Sequence, residues 1–565
     1  MNIYLLIVII LFILAVSDLI VGISNDAANF VNSAVGSKVA PLKVILSVAG
    51  LGVLVGATFS SRMMEIARSG IFYPGQFVFS EVMIIFLAVM ITDVILLDTF
   101  NTFGFPTSTT VSIVFELLGA SVGIALVKIS GYDGSITELS NYINSAKALA
   151  IISGILISVV LAFTFGSIVM FITRLIFSFN YEKYMRYFGA LWGGIAITAI
   201  VYFMLVKGAR GASFMTAGAV DWLHAHTWQL LLSSFFIVTA ILQILIIVFK
   251  INILKIIVLA GTFSLAMAFA GNDLINFIGV PLAGFESFRA FANDPSFNPD
   301  TSLMTSLAEP VKTPTLFLLT AGIIMVITLF TSKKARTVSQ TEITLARQDE
   351  GNERFSSSFL SRSLVRGSIN FSRTFGRLLP PKLILFIEKR FDYSTVKKKS
   401  KSIKENSSFD SLRASVNMFV ASFLIATGTS LKLPLSTTYV TFMVAMGTSL
   451  SDRAWGRESA VYRITGVLSV ITGWFITAVV AFTASLLFAL FLNWGGLIAI
   501  LISLGAAVFF IIRSNFMHKK IHVQLHKKDD FDTLESISAQ SIVQKCSSTI
   551  SQMNRKLDQA LARFA

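Results

Sequence analysis

Two short polar motifs, each present twice, hold the residues of this 565-residue chain best suited to chemistry. The first reads Ser24-Asn25-Asp26-Ala27-Ala28-Asn29-Phe30 and is matched by Gly271-Asn272-Asp273-Leu274-Ile275-Asn276-Phe277. In each copy a carboxylate adjoins one amide and precedes another by three positions, and on a helix residues three apart share a face. Asn25, Asp26 and Asn29, like Asn272, Asp273 and Asn276, therefore gather hard oxygens, which suit Na+ or a proton and not a soft metal. Both copies lie in apolar surroundings, where an ionisable side chain is costly and faces a cavity or pathway by default. The small residues Gly22, Ala27, Ala28 and Gly271 allow either a broken helix or close packing at these points.

The second motif reads Pro106-Thr107-Ser108-Thr109-Thr110 and is matched by Pro434-Leu435-Ser436-Thr437-Thr438. A Pro in the first turn followed by hydroxyl side chains marks a helix N-terminus, whose leading N–H groups have no partner within the helix. Such an end attracts anions, phosphate in particular, through oriented amides and the helix dipole. Ser108, Thr109, Thr110, Ser436, Thr437 and Thr438 are thus candidate anion ligands, although Ser and Thr at such a turn also cap their own helices.

The elements that must carry these motifs are membrane helices. Hydrophobic residues make up 54% of the chain and charged ones 14%, against about a quarter charged in a typical soluble domain, and the mean hydropathy is +0.76. Apolar runs approaching bilayer length recur, among them Ile3–Val21, Ala148–Ile172, Leu230–Phe249 and Ile464–Ile512, and about twelve hydrophobic segments are expected in all. The first lacks a basic leader and a small-residue cleavage site, so it reads as a retained helix.

The motifs also report a duplication. Asn25 and Asn272 are 247 positions apart, whereas Ser108 and Ser436 are 328 apart. The excess matches a basic hydrophilic stretch, 331–413, placed between the two motifs of the second half. The expected organisation is a first membrane repeat with connecting segments (1–230), the start of a second (231–330), a basic cytoplasmic loop (331–413), the rest of the second repeat (414–512) and a cytoplasmic helical tail (513–565). The net charge of +15 is concentrated in that loop and around Arg513, Lys519-Lys520 and Lys527-Lys528, which places both regions on the cytoplasmic side. The same topological reading leaves no need for a nucleic-acid partner. Most of the loop is expected on the membrane surface or with little order, apart from Leu383–Ile387 as an interfacial helix. In the tail, Ile542, Cys546, Ile550, Met553, Leu557 and Leu561 recur at helical spacing, a stripe that would pack on the membrane unit or dock a cytosolic regulator. The single cysteine, Cys546, excludes an intramolecular disulfide and a Cys-based metal cluster.

Taken together, the motif pairs resemble the signature of the inorganic phosphate transporter (PiT) family, the sodium- or proton-coupled phosphate permeases. The resemblance implies an all-α polytopic membrane protein of two inverted repeats with re-entrant helical hairpins. It further implies a homodimer in a plasma membrane (the inner one in a bacterium), phosphate held by the Ser/Thr motifs, and Na+ (or H+) near Asp26 and Asp273, with no other cofactor. The segment around Glu65 resembles a Glu-containing stretch of the family, which makes Glu65 an accessory candidate. The chain departs from the pattern at Val111 and Tyr439, where the family often carries His, and at Ser24, where it has a small apolar residue. The missing His favours Na+ over H+ and leaves a sulfate or other oxyanion symporter as the alternative.

Of the other buried-looking polar residues, Asp93 is a second accessory candidate by the intramembrane rule. Asp98, five positions on, lies off its face, and Glu116 follows the first Ser-Thr-Thr. His224 and His226 sit between Trp222 and Trp228 as in an interfacial loop. An ion channel would draw its filter from several subunits, and a scaffold explains the loop and tail without the duplicated aspartates. No nucleophile or metal centre suggests an enzyme.

Overall fold

The computed structural model describes residues 3–58, 70–104, 106–131, 133–202, 216–294, 297–308, 314–347, 358–378, 380–392, 407–430, 435–452 and 457–536. Glu65, Phe105, Pro434, Lys397–Lys399 and the tail stripe around Cys546 lie outside them.

The described residues are helical almost throughout, as an apolar solvent demands, because a helix satisfies its own backbone hydrogen bonds. In chain order the helices are α1 (Ile3–Gly36), α2 (Leu42–Thr58), α3 (Phe79–Phe103), α4 (Thr109–Ser130), α5 (Ser145–Phe177), α6 (Tyr181–Val201), α7 (Ala217–Ala225) and α8 (Thr227–Ile247). They continue as α9 (Ile253–Asn293), α10 (Thr315–Thr331), α11 (Lys334–Ala346), α12 (Phe359–Leu378), α13 (Pro381–Arg390), α14 (Ser411–Ser430), α15 (Thr437–Ser451) and α16 (Arg457–Ser536). Among the described residues nine helices are long and apolar enough to cross a membrane. The pair α10 and α11, bent by 70° at its break, raises the count to ten. The apolar stretch in α16, Ala460–His518, is interrupted at Gly496, whose φ of 52° and ψ of −132° are open to glycine. The chain is an integral membrane protein. Its outward faces are apolar, with Ile13, Val160, Phe236 and Ile247 all exposed.

Two compact units divide the chain, Met1–Val508 and Phe509–Ala565. The second is helical as far as Ser536 within its described part. In the first, α1 packs on α3 and α9, α2 on α9, and α15 on α5. These approaches are close because small residues face backbone. At Gly447 of α15 an added Cβ would stand 2.3 Å from the carbonyl oxygen of Phe163 in α5, and at Gly22 of α1 one would stand 2.0 Å from the Phe277 ring of α9. Both Asn-Asp motifs sit inside continuous helices, so the small residues around them serve close packing and not a break.

The basic stretch after Thr331 differs from its expected loose character. Its first part, α11, packs against α1, α3 and α15 and buries Val338, Ser339, Thr341, Glu342 and Leu345. Polar contacts account for this: Lys334 Nζ lies 2.6 Å from Asp98 Oδ1, and Thr341 donates to Gly104 O at 2.8 Å. Hydropathy does not register a helix held in place that way. Leu383–Ile387 lies within α13, as the apolar run predicted.

Candidate functional site

The turn from α3 into α4 and the turn from α14 into α15 carry the two Ser-Thr-Thr motifs. Ser108 is the N-cap of α4 and accepts from the Val111 amide at 3.2 Å. Ser436 caps α15 in the same way, accepting from the Tyr439 amide at 3.1 Å. Thr109-Thr110 and Thr437-Thr438 thereby become the first two residues of their helices, where backbone N–H groups have no intrahelical acceptor. The two serines position the turns, while the four threonines face the aspartates.

Asp26 accepts from Thr109 Oγ1 at 3.0 Å and from Thr438 Oγ1 at 3.1 Å. Asp273 accepts from Thr110 Oγ1 at 3.0 Å and from Thr437 Oγ1 at 2.5 Å. Each turn thus sends its first threonine to the aspartate of its own half and its second to the aspartate of the other. The amides cross over as well. Asn29 Nδ2 donates to Thr438 Oγ1 at 2.9 Å, and Asn276 Nδ2 to Thr110 Oγ1 at 3.1 Å. Both aspartates are fully buried, and Asn29 and Asn276 nearly so. Two helix N-termini and two carboxylates consequently converge on one point from four helices, α1, α4, α9 and α15.

Asn25 and Asn272 instead tie each motif helix to the turn of its own half. Asn25 Oδ1 accepts from the Thr107 amide at 3.1 Å, and its Nδ2 donates to Asn101 Oδ1 at 2.8 Å. Asn272 Nδ2 donates to Leu435 O at 3.2 Å, while its Oδ1 is buried without a hydrogen-bond partner. That orphaned oxygen beside Asp273, with carboxylate and hydroxyl oxygens around it, is the donor chemistry a hard monovalent cation takes.

Several supporting residues escaped the sequence reading. Asn101 Nδ2 donates to Val21 O at 2.7 Å and locks α3 to α1 below the first motif. Trp474 of α16 touches the first turn and the start of α15: its indole N–H donates to Pro106 O at 3.2 Å, and its ring stacks on Tyr439 at 3.8 Å between centroids. A tryptophan in a long apolar run gives no signal of such a role. Thr477 also reaches the first turn, at 3.1 Å from Thr107 Oγ1. The Tyr439 side chain, where the resembled family often has His, is thus given to stacking. Replacing Trp474 with Phe keeps an aromatic ring and removes the donor to Pro106. A hydrogen bond of this kind contributes about 0.5–1.5 kcal/mol to stability, so the folded protein is expected to lose about that much, read as a lowered unfolding midpoint in detergent.

The remaining candidates separate. Asp98 pairs with Lys334, away from the centre. Asp93 lies with Asp18 and Glu116, not with the threonines. Ser24, the other departure, shares a hydrogen bond with Ser332 at 2.7 Å. His226 stacks on Trp222, with Nδ1 2.9 Å from Trp222 O. At the far end of α15, Arg174 of α5 bridges Asp452 and Asp410. Burial pushes the Asp410 carboxyl upward, but the Arg174 guanidinium and the Arg413 amide outweigh it and hold Asp410 below the ordinary carboxylate range. Arg463 is buried and donates to Arg347 O at 2.6 Å.

The paired polar motifs thus meet, buried, where membrane helices of both halves converge. Residues 23–347 match the phosphate transporter family. The chain belongs to that family. A protein of Thermococcus kodakarensis, provisionally named as a phosphate permease (TK2061), is 28% identical over 196 residues. That match covers 34% of this chain and 45% of the relative, less than half of its length. A solved structure titled the sodium-dependent phosphate transporter superposes with a TM-score of 0.61 at 18% identity, covering 86% of this chain and 99% of that one. At that identity the likeness shows the fold.

Proposed function

We propose that the chain imports inorganic phosphate by symport with Na+ through alternating access. The observation that carries this reading is the crosswise Asp–Thr network. Phosphate would bind at the facing N-termini of α4 and α15, among Thr109, Thr110, Thr437 and Thr438, with Ser108 and Ser436 setting the turns. Na+ would bind at Asp26 and Asp273, helped by Asn29, Asn276 and the free carbonyl of Asn272. An oxyanion beside two ionised carboxylates is repelled, and in a buried site that repulsion is poorly screened. Bound cations between them compensate it, so neither species loads well alone and transport is coupled. Because each half contributes one turn and one aspartate to a shared centre, tilting one half against the other exposes it to alternate sides, the geometry of repeat-built transporters. Family membership and the fold likeness support the same reading. A homodimer, with the 331–413 loop and the tail on the cytoplasmic side, accompanies it. The test is uptake of radiolabelled phosphate by proteoliposomes under a Na+ gradient, a pH gradient or neither, with sulfate as competitor. Saturable uptake that needs Na+ is expected. Selective sulfate uptake, or phosphate uptake indifferent to Na+, overturns the assignment.

A further inference from the structure

Next to the Asp–Thr centre lies a second group of buried acids with no part in it. Asp18 of α1, Asp93 of α3 and Glu116 of α4 are each fully buried and lie against one another, Asp93 within hydrogen-bonding reach of both others. Ser112 faces Asp93 as well, but its hydroxyl donates to Glu116 Oε1 at 2.7 Å. Both oxygens of Asp18, both of Asp93 and Glu116 Oε2 are buried with no donor reaching them. The groups whose fields act on the three carboxyls are one another, Ser112 and Asp26, and none of these is basic. Lys334, the basic residue that α11 brings to α3, is bound to Asp98.

Three ionised carboxylates cannot stand in contact in a buried, cation-free setting, because each loses its hydration and repels the others. Some positive charge must join them. What the geometry provides is carboxyl-to-carboxyl reach, the arrangement in which two acids share a proton. We propose that Asp18, Asp93 and Glu116 form a proton-binding site, separate from the Asp26/Asp273 centre, that takes up and releases H+ during the transport cycle.

The site is placed to act on that centre. Asp18 is eight residues before Asp26 on α1, about 12 Å along the axis, and Glu116 is six residues after Thr110 on α4. Asp93 precedes Asn101, which fastens α3 to α1. The acids therefore brace the same three helices that carry the first half of the centre. Loss of a proton sets like charges against each other across the α1–α3–α4 contact, and its return closes that contact.

Infrared spectroscopy of the purified full chain tests the site directly, through the C=O stretch of protonated carboxyl groups. Near neutral pH the wild type should show such a band, shifted in heavy water, diminished in Asp18→Asn and in Glu116→Gln, and unchanged on adding Na+. An absent band, one equally strong in both variants, or one abolished by Na+ overturns the proposal. If either variant fails to fold, Asp93→Asn takes its place and should diminish the band in the same way. The role in the cycle rests on the cation-coupled reading and has its own readout. In proteoliposomes loaded with a pH dye, phosphate uptake by Asp18→Asn should move fewer protons per phosphate than wild type, and an unchanged ratio overturns that role. A wild type that carries no phosphate would defeat the transport reading and leave the infrared result standing.

Discussion

Asp26→Asn and Asp273→Asn, each made alone, should reduce Na+-driven phosphate uptake by on the order of 10²-fold or more. The substitution keeps the shape of the side chain and removes the charge. Each carboxylate accepts from two threonine hydroxyls, one from each turn, and hydrogen bonds to a charged group contribute about 1.5–3 kcal/mol apiece. Losing that strength at either aspartate loosens both turns together, since the turns share both aspartates. The cation also loses its counter-charge, so the dependence of uptake on Na+ should flatten along with the rate. Because the network is crosswise, the two variants should resemble each other. Initial rates against Na+ concentration measure this, with size-exclusion profiles confirming folded protein. Uptake that retains its Na+ dependence in both variants would falsify the assignment of these aspartates.

The outline of this centre was legible because polar residues in hydrocarbon are costly, and sequence retains that cost as an island of Asn, Asp, Ser and Thr in an apolar run. Duplication made the signal specific. The pairing was not legible: nothing local says that Thr438 serves Asp26, 412 positions away, or that Asn29 leans on the second turn. The serines illustrate a similar limit. Their spacing marks a helix start, but only the structure shows Ser108 and Ser436 turned back to cap it. Helix α11 was missed because Thr341 and Lys334 hold it by hydrogen bonding and charge, where hydropathy sees only a polar loop. The acids Asp18, Asp93 and Glu116 stand far apart in the chain, and their meeting depends on how α1, α3 and α4 pack. Nine helices long and apolar enough to cross a membrane among the described residues, against about twelve expected segments, reflect the long run of α16, the bent pair α10–α11 and the short α2.

Arg174→Ala should destabilise the folded protein more than any surface substitution, by about 3–5 kcal/mol, the cost of leaving a buried charge without its partner. Arg174 is fully buried and reaches both oxygens of Asp452 through Nε and Nη2, the latter at 3.0 Å, with a further contact to Asp410 Oδ2 at 2.6 Å. Arg413 Nε stands 3.7 Å from Asp452 and cannot replace that fork. Asp452 is the C-cap of α15, and α15 begins at Thr437, so the ion pair anchors the far end of the helix whose N-terminus forms half of the anion site. Arg174→Lys keeps one charge but loses the two-pronged geometry, and should fall between wild type and Arg174→Ala. Thermal unfolding in detergent ranks the three variants, and pairing Arg174→Leu with Asp452→Leu should recover part of the loss, since removing both charges leaves neither stranded. An Arg174→Ala midpoint equal to wild type would mean that α15 is held by its packing on α5 alone. A lowered midpoint with uptake lost in proportion to folded protein would confine the pair to structure, whereas a larger loss of uptake would show that the anchor also sets the position of Thr437 and Thr438.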